Sequence, residues 1–342
     1  TLGTSLLVSL VLALGLLAAC HPMLLHGLHF IQTDPGDTRL NHYLLEHSYR
    51  WLRGQPLHQE LLSPPIFFPV RHTGAYGDLL VGAAPPYWLL RLAGIPPDAS
   101  YQGWMVTVLA LNFLAAWAVF RQGLGSSNLA ALAGAYLFAF ASPRVIQIGH
   151  QQLLLQFYPM LAILALCRLF REGSAPSPPA SSRTVLWLGV FTAAVGLQFY
   201  TSFYLGWFLV FGLAGFILVA LCQKDTRLWL TAWFQTHRRA LMLWAIVGLL
   251  SLSWLGWHYL KTYQEFGPRP WWEVKSQIPR LLSWFNMGEG SWLFGWIRDL
   301  LPFSRIPMEH EQRLGLGLLT PALVTLGLVR LSRTPWGRVL SL

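Results

Sequence analysis

Charged residues fall along this chain at intervals that measure a bilayer. None occurs before Asp34, none between Asp98 and Arg121, none between Arg121 and Arg144, and none between Arg144 and Arg168. A hydrocarbon core about 30 Å thick takes roughly 20 helical residues, so each interval predicts one membrane-spanning helix. From Thr184 to Gln223 the chain is uncharged throughout; as helix that is about twice the bilayer thickness, which predicts two spans folded back near Gln198-Ser202. Ala240 to Leu260 predicts a seventh span and Leu314 to Val329 a short eighth. The apolar run Leu79 to Leu90 is too short to cross and is interrupted by Pro85-Pro86. It predicts a helix at the interface, with Tyr87 and Trp88 at headgroup depth. Leu40, Tyr43, Leu44, His47, Trp51 and Leu52 recur at helical spacing, so 38–53 is expected to be an amphipathic helix lying on the membrane.

The fold class this predicts is all-α: a polytopic transmembrane helix bundle of eight spans with interfacial helices. One transmembrane domain is expected over 1–342, carrying two large loops, 21–98 and 261–313. The first residue is not Met, and Val339-Leu340-Ser341-Leu342 reads like the opening of another apolar run, so a piece of a longer protein is expected. Composition agrees with a lipid-solvated chain: 54% of residues are apolar and 11% charged, where a soluble domain carries about a quarter charged. Cys20, Cys167 and Cys222 sit singly at the ends of apolar runs, which excludes a disulfide framework, a CxxC redox pair and a cysteine metal site.

Eight spans place the loops at 121–127, 168–183, 223–239 and 330–338 on one side, with 11 Lys/Arg and 2 acids. The opposite side holds 13 Lys/Arg and 12 acids. The first side is expected to be cytoplasmic, so the net charge of +10 reports topology. A nucleic-acid partner is not expected, because the basic side offers only short, separate loops. Residues 174–182, rich in Ser and Pro, read as a flexible linker, and no internal repeat is present.

Half of the outer acids lie in each large loop, which makes those loops the expected working face. Asp34 and Asp37 flank a Pro-Gly turn, so both carboxylates could meet at one point, to bind a divalent cation or to take a proton from a nucleophile. The same spacing equally suits an Asx turn at Asp34 and a helix cap at Asp37. Seven histidines occupy the first loop without HExxH or a cluster with Cys, and read as interfacial rather than zinc-binding. The segment 64–78, rich in Pro and aromatic residues, is expected to be ordered. Arg144 offers a cationic fork for phosphate, and His150, Gln151 and Gln152 offer hydrogen-bonding groups at the bundle mouth; a snorkelling arginine and interface-satisfied amides explain them as well. In the last loop Lys261, Arg269, Lys275 and Arg280 interleave with Tyr263, Trp271, Trp272 and Trp284, a mixture suited to an anionic lipid headgroup or an aromatic belt.

The order of parts resembles the GT-C superfamily of membrane glycosyltransferases. The resemblance rests on Gly36-Asp37 followed by His42 to Trp51, on Ile66-Phe67-Phe68-Pro69 to Ala75-Tyr76-Gly77-Asp78, on Gly149-His150-Gln151-Gln152-Leu153, and on Glu311 to Gly315-Leu316-Gly317. These look like a bacterial, YfhO-like branch of that fold, and cover nearly the whole chain. The chain differs from the best-characterised members in lacking an adjacent Asp-Asp or Asp-Glu pair and a WWDxG signature. The resemblance implies sugar transfer from a polyprenyl-phosphate donor to a glycan, lipid or protein acceptor on the outer face of a bacterial inner (plasma) membrane. Asp37, with Asp34 second, would be the general base or would ligate a divalent cation such as Mg or Mn. Arg144, His150, Gln151, Arg39, His42 and Asp78 would face the donor phosphate, with membrane lipid as the surrounding partner. Two other readings stay open: a lipid-linked substrate flippase or transporter, and a non-catalytic assembly subunit. Span centres free of Asp, Glu, Lys and Arg weigh against ion-coupled transport.

Overall fold

The charge-free intervals are helices in the computed structural model of the chain, which describes residues 2–33, 35–172, 182–288, 290–291 and 293–331. Every regular element among the described residues is helical. Among the described residues seven helices are long and apolar enough to cross a membrane, and a further apolar helix, Leu319–Arg330, is shorter. The helices in chain order are α1 (Leu2–Leu25), α2 (Gly36–Leu52), α3 (Pro85–Leu92), α4 (Pro97–Ala118), α5 (Asn128–Phe140), α6 (Ser142–Ile146), α7 (Gln151–Leu154), α8 (Phe157–Glu172), α9 (Ser182–Thr201), α10 (Phe203–Cys222), α11 (Lys224–Phe266), α12 (Trp271–Gln277), α13 (Ile297–Leu300) and α14 (Leu319–Leu331). The linker predicted at 174–182 lies, up to Ser181, outside the described residues.

Two boundaries differ from the sequence reading for physical reasons. The helix expected over Leu79 to Leu90 is instead Pro85–Leu92, because Pro85 and Pro86 occupy the first turn, where a missing N–H costs nothing. Tyr87 is fully buried within the protein, its hydroxyl donating to Glu46 at 2.7 Å. α11 extends to 43 residues, about 65 Å, since the charges between Lys224 and Arg239 limit the apolar run but do not break a helix free of Pro.

By contacts the chain falls into two compact units. One comprises Thr1–Phe140, Gly149–Gly212 and Leu230–Gly267; the other comprises Ala141–Ile148, Leu213–Trp229 and Pro268–Leu342. In the first, α4 is the central helix, packed against α1, α3, α5 and α8, and α8 lies along α9. Its buried residues include Tyr101, Trp104, Met105, Val108, Leu109 and Phe113. Asn112 is fully buried but satisfied, donating to Leu154 O at 2.6 Å and accepting from Gln156 N at 3.1 Å. α9 and α11 meet with residue numbers rising together: Gly189 faces the Trp244 ring, Thr192 faces Gly248, and Tyr200 stacks on Trp254. They therefore run parallel, and α10 makes the return pass between them from the break at Ser202.

In the second unit Met287, Ile297, Phe303 and Ile306 form a small core. Gln312 is 1% exposed, accepts from Ser283 Oγ and donates to Ser276 O and Pro307 O. Arg313 grips Glu309 with two donors, and Asn286 donates to the same carboxylate at 2.6 Å. Gly315 passes so close to Asn286 that an added Cβ would lie 2.8 Å from its backbone.

The first unit is keyed by an irregular segment, residues 77–84, inserted among its helices. Tyr259 Oη donates to Gly77 O at 2.6 Å, Leu80 N donates to Thr201 O at 2.9 Å, Tyr158 Oη donates to Gly82 O at 2.7 Å, and Trp104 Nε1 donates to Ala83 O at 2.7 Å. Asp78 Oδ1 accepts from Phe203 N at 2.6 Å, so it caps the first turn of α10 from a distance in sequence. A side chain on Gly82 would collide with the Leu197 carbonyl oxygen and the Thr201 hydroxyl. Gly82→Ala is therefore expected to destabilise the chain by about 1–3 kcal/mol, read as a lowered Tm in detergent, with Gly212→Ala, where nothing lies within contact range, as the silent control. Burial pushes the Asp78 carboxyl up to about 6, against the backbone N–H groups of Phe203 and Tyr204 and the Ser202 hydroxyl that pull it down. The folded chain thus takes up this proton before the unfolded chain does. The corresponding stability is complete below the usual value of 3.8 and is lost as pH rises through about 6. Asp78→Asn, which keeps the acceptor, should remove that part of the pH dependence from the Tm profile.

Candidate functional site

Asp37 stands in the first turn of α2, behind Pro35, and no side chain caps that helix. The cap that its spacing allowed is not made. Its Oδ2 accepts instead from His150 Nδ1 and from Gln152 Nε2, each at 2.7 Å. One turn along α2, Asn41 Nδ2 donates to Gln151 Oε1 at 2.8 Å and to Gln152 Oε1 at 2.7 Å, and Gln151 Nε2 donates to Thr38 Oγ1 at 2.9 Å. Positions 37, 38 and 41 share a helix face, and His150 to Gln152 open α7, so two short polar runs zip together across a bundle otherwise lined with apolar side chains.

Depth sorts the members of this network. Thr38, Asn41 and Gln151 are at most 4% exposed, whereas the Asp37 and His150 side chains keep 42% and 27% of their exposure. The result is a closed polar floor under a carboxylate–imidazole pair that solvent or substrate can reach. The hydrogen bond from His150 is the largest influence on Asp37 and, helped by Gln152, holds its carboxyl below the usual carboxylate range against the opposing effect of burial. The positive end of α2 acts in the same direction.

A carboxylate so stabilised is a weak base but a good orienter. By accepting from Nδ1–H it fixes the imidazole tautomer whose Nε2 can take a proton, and it stabilises the imidazolium that results. Asp37 Oδ1 makes no hydrogen bond to the described residues and could ligate a cation. Among the described residues no three His, Cys, Asp or Glu side chains are grouped to hold a metal, and Asp34 lies outside them.

The structure distributes the other expected site residues differently. Gln151 belongs to the buried floor. Arg39 is exposed. His42 packs against the Tyr101 and Tyr87 rings, and burial lowers its pKa below the usual histidine value, which removes the charge a phosphate would need. Asp78 is a buried helix cap rather than a phosphate contact; a carboxylate held by backbone N–H groups has its acceptor capacity already in use. Arg144 falls in the second compact unit. Sequence reasoning missed Thr38 and Asn41, and read Gln152 as a hydrogen-bonding group at the bundle mouth without naming its partners, Asp37 and Asn41. The recurrence of the small polar residues Thr38, Asn41 and Ser48 along one side of α2 was the available signal. α2 is not the simple amphipathic surface helix predicted either: Thr38, Asn41, Leu45, His47 and Ser48 are buried, while Leu40, Trp51 and Leu52 are exposed.

Asn41→Ala would leave the carbonyls of two glutamines without their donor. It should cost about 1–3 kcal/mol in thermal unfolding, and a Tm equal to that of the parent chain would show that the floor does not hold α2 to α7.

Residues 71–341 match the family described as "Domain of unknown function (DUF6311)". That stretch contains Asp78, Arg144 and His150 to Gln152 but not α2. No curated protein and no solved structure matches the chain. With most of its length inside the match, the chain belongs to the DUF6311 family.

Proposed function

We propose that this chain is an integral membrane glycosyltransferase of GT-C type, moving a sugar from a polyprenyl-phosphate donor to an acceptor hydroxyl on the outer face of a bacterial inner membrane. The observation that carries this reading is the Asp37–His150 pair, half-exposed where α2 and α7 meet. Asp37 follows the end of α1 and His150 precedes α8, so both stand near the ends of apolar helices, which supports a reading in which a lipid donor's headgroup reaches them.

In this scheme the bond between the sugar's anomeric carbon and the phosphate oxygen breaks, and the phosphate leaves with the electron pair. The acceptor oxygen attacks the anomeric carbon, and its proton passes to His150 Nε2. Asp37 keeps the ring oriented and stabilises its positive charge. A divalent cation such as Mg or Mn, bound through Asp37 Oδ1, would neutralise the departing phosphate; its requirement is read by adding a chelator to the assay. The lack of Asp, Glu, Lys and Arg in the span centres favours this scheme over ion-coupled transport.

Asp37→Asn and His150→Gln should each lower transfer from a labelled polyprenyl-phosphate sugar by roughly 10²-fold or more while leaving yield and Tm near those of the parent. Native mass spectrometry of the gently purified protein should show a co-purifying polyprenyl-phosphate lipid. Full transfer by both variants would sink the scheme, as would a parent protein that neither carries nor uses such a lipid.

A further inference from the structure

The opposite face of α2 borders a second cavity. Residues 43, 46, 47 and 50 lie about half a turn away from 37, 41 and 48, and with His58, Pro65 and Ile66 they line an open pocket of about 340 Å³. Volumes of this order hold small ligands.

The charge in this cavity does not cancel. Glu46 takes the Nε of Arg50 at 2.9 Å, the Nε and Nη2 of Arg91 at 2.9 and 3.3 Å, and the Tyr87 hydroxyl. Burial pushes its carboxyl up, but the hydrogen bonds from Arg91, Tyr87 and Arg50 prevail and keep it below its usual value. One carboxylate between two guanidinium groups leaves one positive charge. Arg50 commits only its Nε, so its two Nη groups donate to no described residue. Tyr43 Oη accepts from Ile66 N at 3.2 Å, which leaves its own proton to donate.

Opposite these donors stands one acceptor, whose identity follows from the hydrogen bonds. His47 Nε2 lies 3.0 Å from the Leu61 carbonyl and must carry a proton there. His47 Nδ1 is then an acceptor, so His58 Nδ1, 2.7 Å away, is the donor and His58 Nε2 bears a lone pair. Burial lowers the pKa of both rings, so the pair stays neutral at pH 7 and this pattern persists.

Cationic and hydroxyl donors facing a lone-pair acceptor complement a phosphate ester that also carries a hydroxyl group. Beside the cavity Ile66, Phe67 and Phe68 are 49%, 50% and 86% exposed, an apolar ledge suited to hydrocarbon. We propose that this cavity is a binding site for a phosphate-bearing polyol headgroup, distinct from the Asp37–His150 pair and independent of the transferase scheme.

The test uses the full chain in detergent, with binding read by native mass spectrometry and thermal shift. The probes are lysophosphatidic acid, glycerol 3-phosphate and lysophosphatidylcholine. Lysophosphatidic acid should bind in preference to lysophosphatidylcholine. Arg50→Gln should weaken it at least tenfold and Tyr43→Phe severalfold, whereas Asp37→Asn should leave it unchanged. Tyr43→Phe keeps every bond to Glu46, so it decides the matter if Arg50→Gln fails to fold. Competition by glycerol 3-phosphate at similar concentration identifies a free phosphate ester as sufficient; competition only by the chain-bearing probe identifies a lipid. Absence of binding, equal binding of the choline lipid, or an affinity that Tyr43→Phe and Arg50→Gln leave unchanged would overturn the proposal. Loss of binding in Asp37→Asn would also overturn it, by placing the ligand at the other site.

Discussion

A buried backbone N–H or C=O without a partner costs about 1–3 kcal/mol, and the segment 77–84, regular only in the single 3-10 turn Val81–Ala83, meets that constraint with help from five helices. α4, α8 and α11 each send an indole or phenol group to one of its carbonyls. α9 supplies the carbonyl for Leu80 N, and the first N–H of α10 is taken by Asp78. Leu80 is held at a φ of 61°, a conformation that non-glycine residues rarely adopt. The ordered first loop, the hairpin of α9 and α10, and the placement of α3 all follow from this one insertion, because each contributes to or is fixed by it.

α2 is organised by the same requirement. It carries polar residues on two opposite faces, and each face has found partners. Toward α7 the partners are amides and a histidine; toward the 56–67 turns they are a second histidine and a backbone carbonyl. Its apolar residues Leu40, Trp51 and Leu52 are left on the outside, the reverse of the arrangement expected for a helix of a water-soluble protein. Trp88 donating to Ser48 at 2.9 Å and Arg91 on Glu46 attach α3 to the same scaffold.

How much of this could be read in advance depends on the range of the interactions. The spans were legible because charge is excluded from hydrocarbon locally, residue by residue: the breaks at Ser202 and between α5 and α7 fall where intervals between charges placed them. Asp37, His150 and Gln152 were visible as chemistry in an unusual place. Their pairing was not, because positions 37 and 150 meet only through the packing of α4 with its neighbours. Periodicity likewise misjudged Tyr87 and His42. Each was assigned to an interface by its type; Tyr87 is buried with its hydroxyl donating to Glu46, and His42 is partly buried against the Tyr87 and Tyr101 rings. Asp78 gave no warning of its role, since a cap donated from 125 residues away has no local signature.

Those sequence separations impose an order on biogenesis. The Asp37–His150 contact spans 113 residues, Asp78 to Phe203 spans 125, and His72 to His258, at 2.9 Å, spans 186. At a synthesis rate of about 5–20 residues per second, each interval is a delay of many seconds. During it the first loop has been made and its partners do not yet exist. The polar floor can close once α8 is made, but residues 72–77 cannot dock until α11 emerges. A chain that stops before residue 258 therefore contains both members of the Asp37–His150 pair but leaves residues 72–77 without the contacts that His258 and Tyr259 supply.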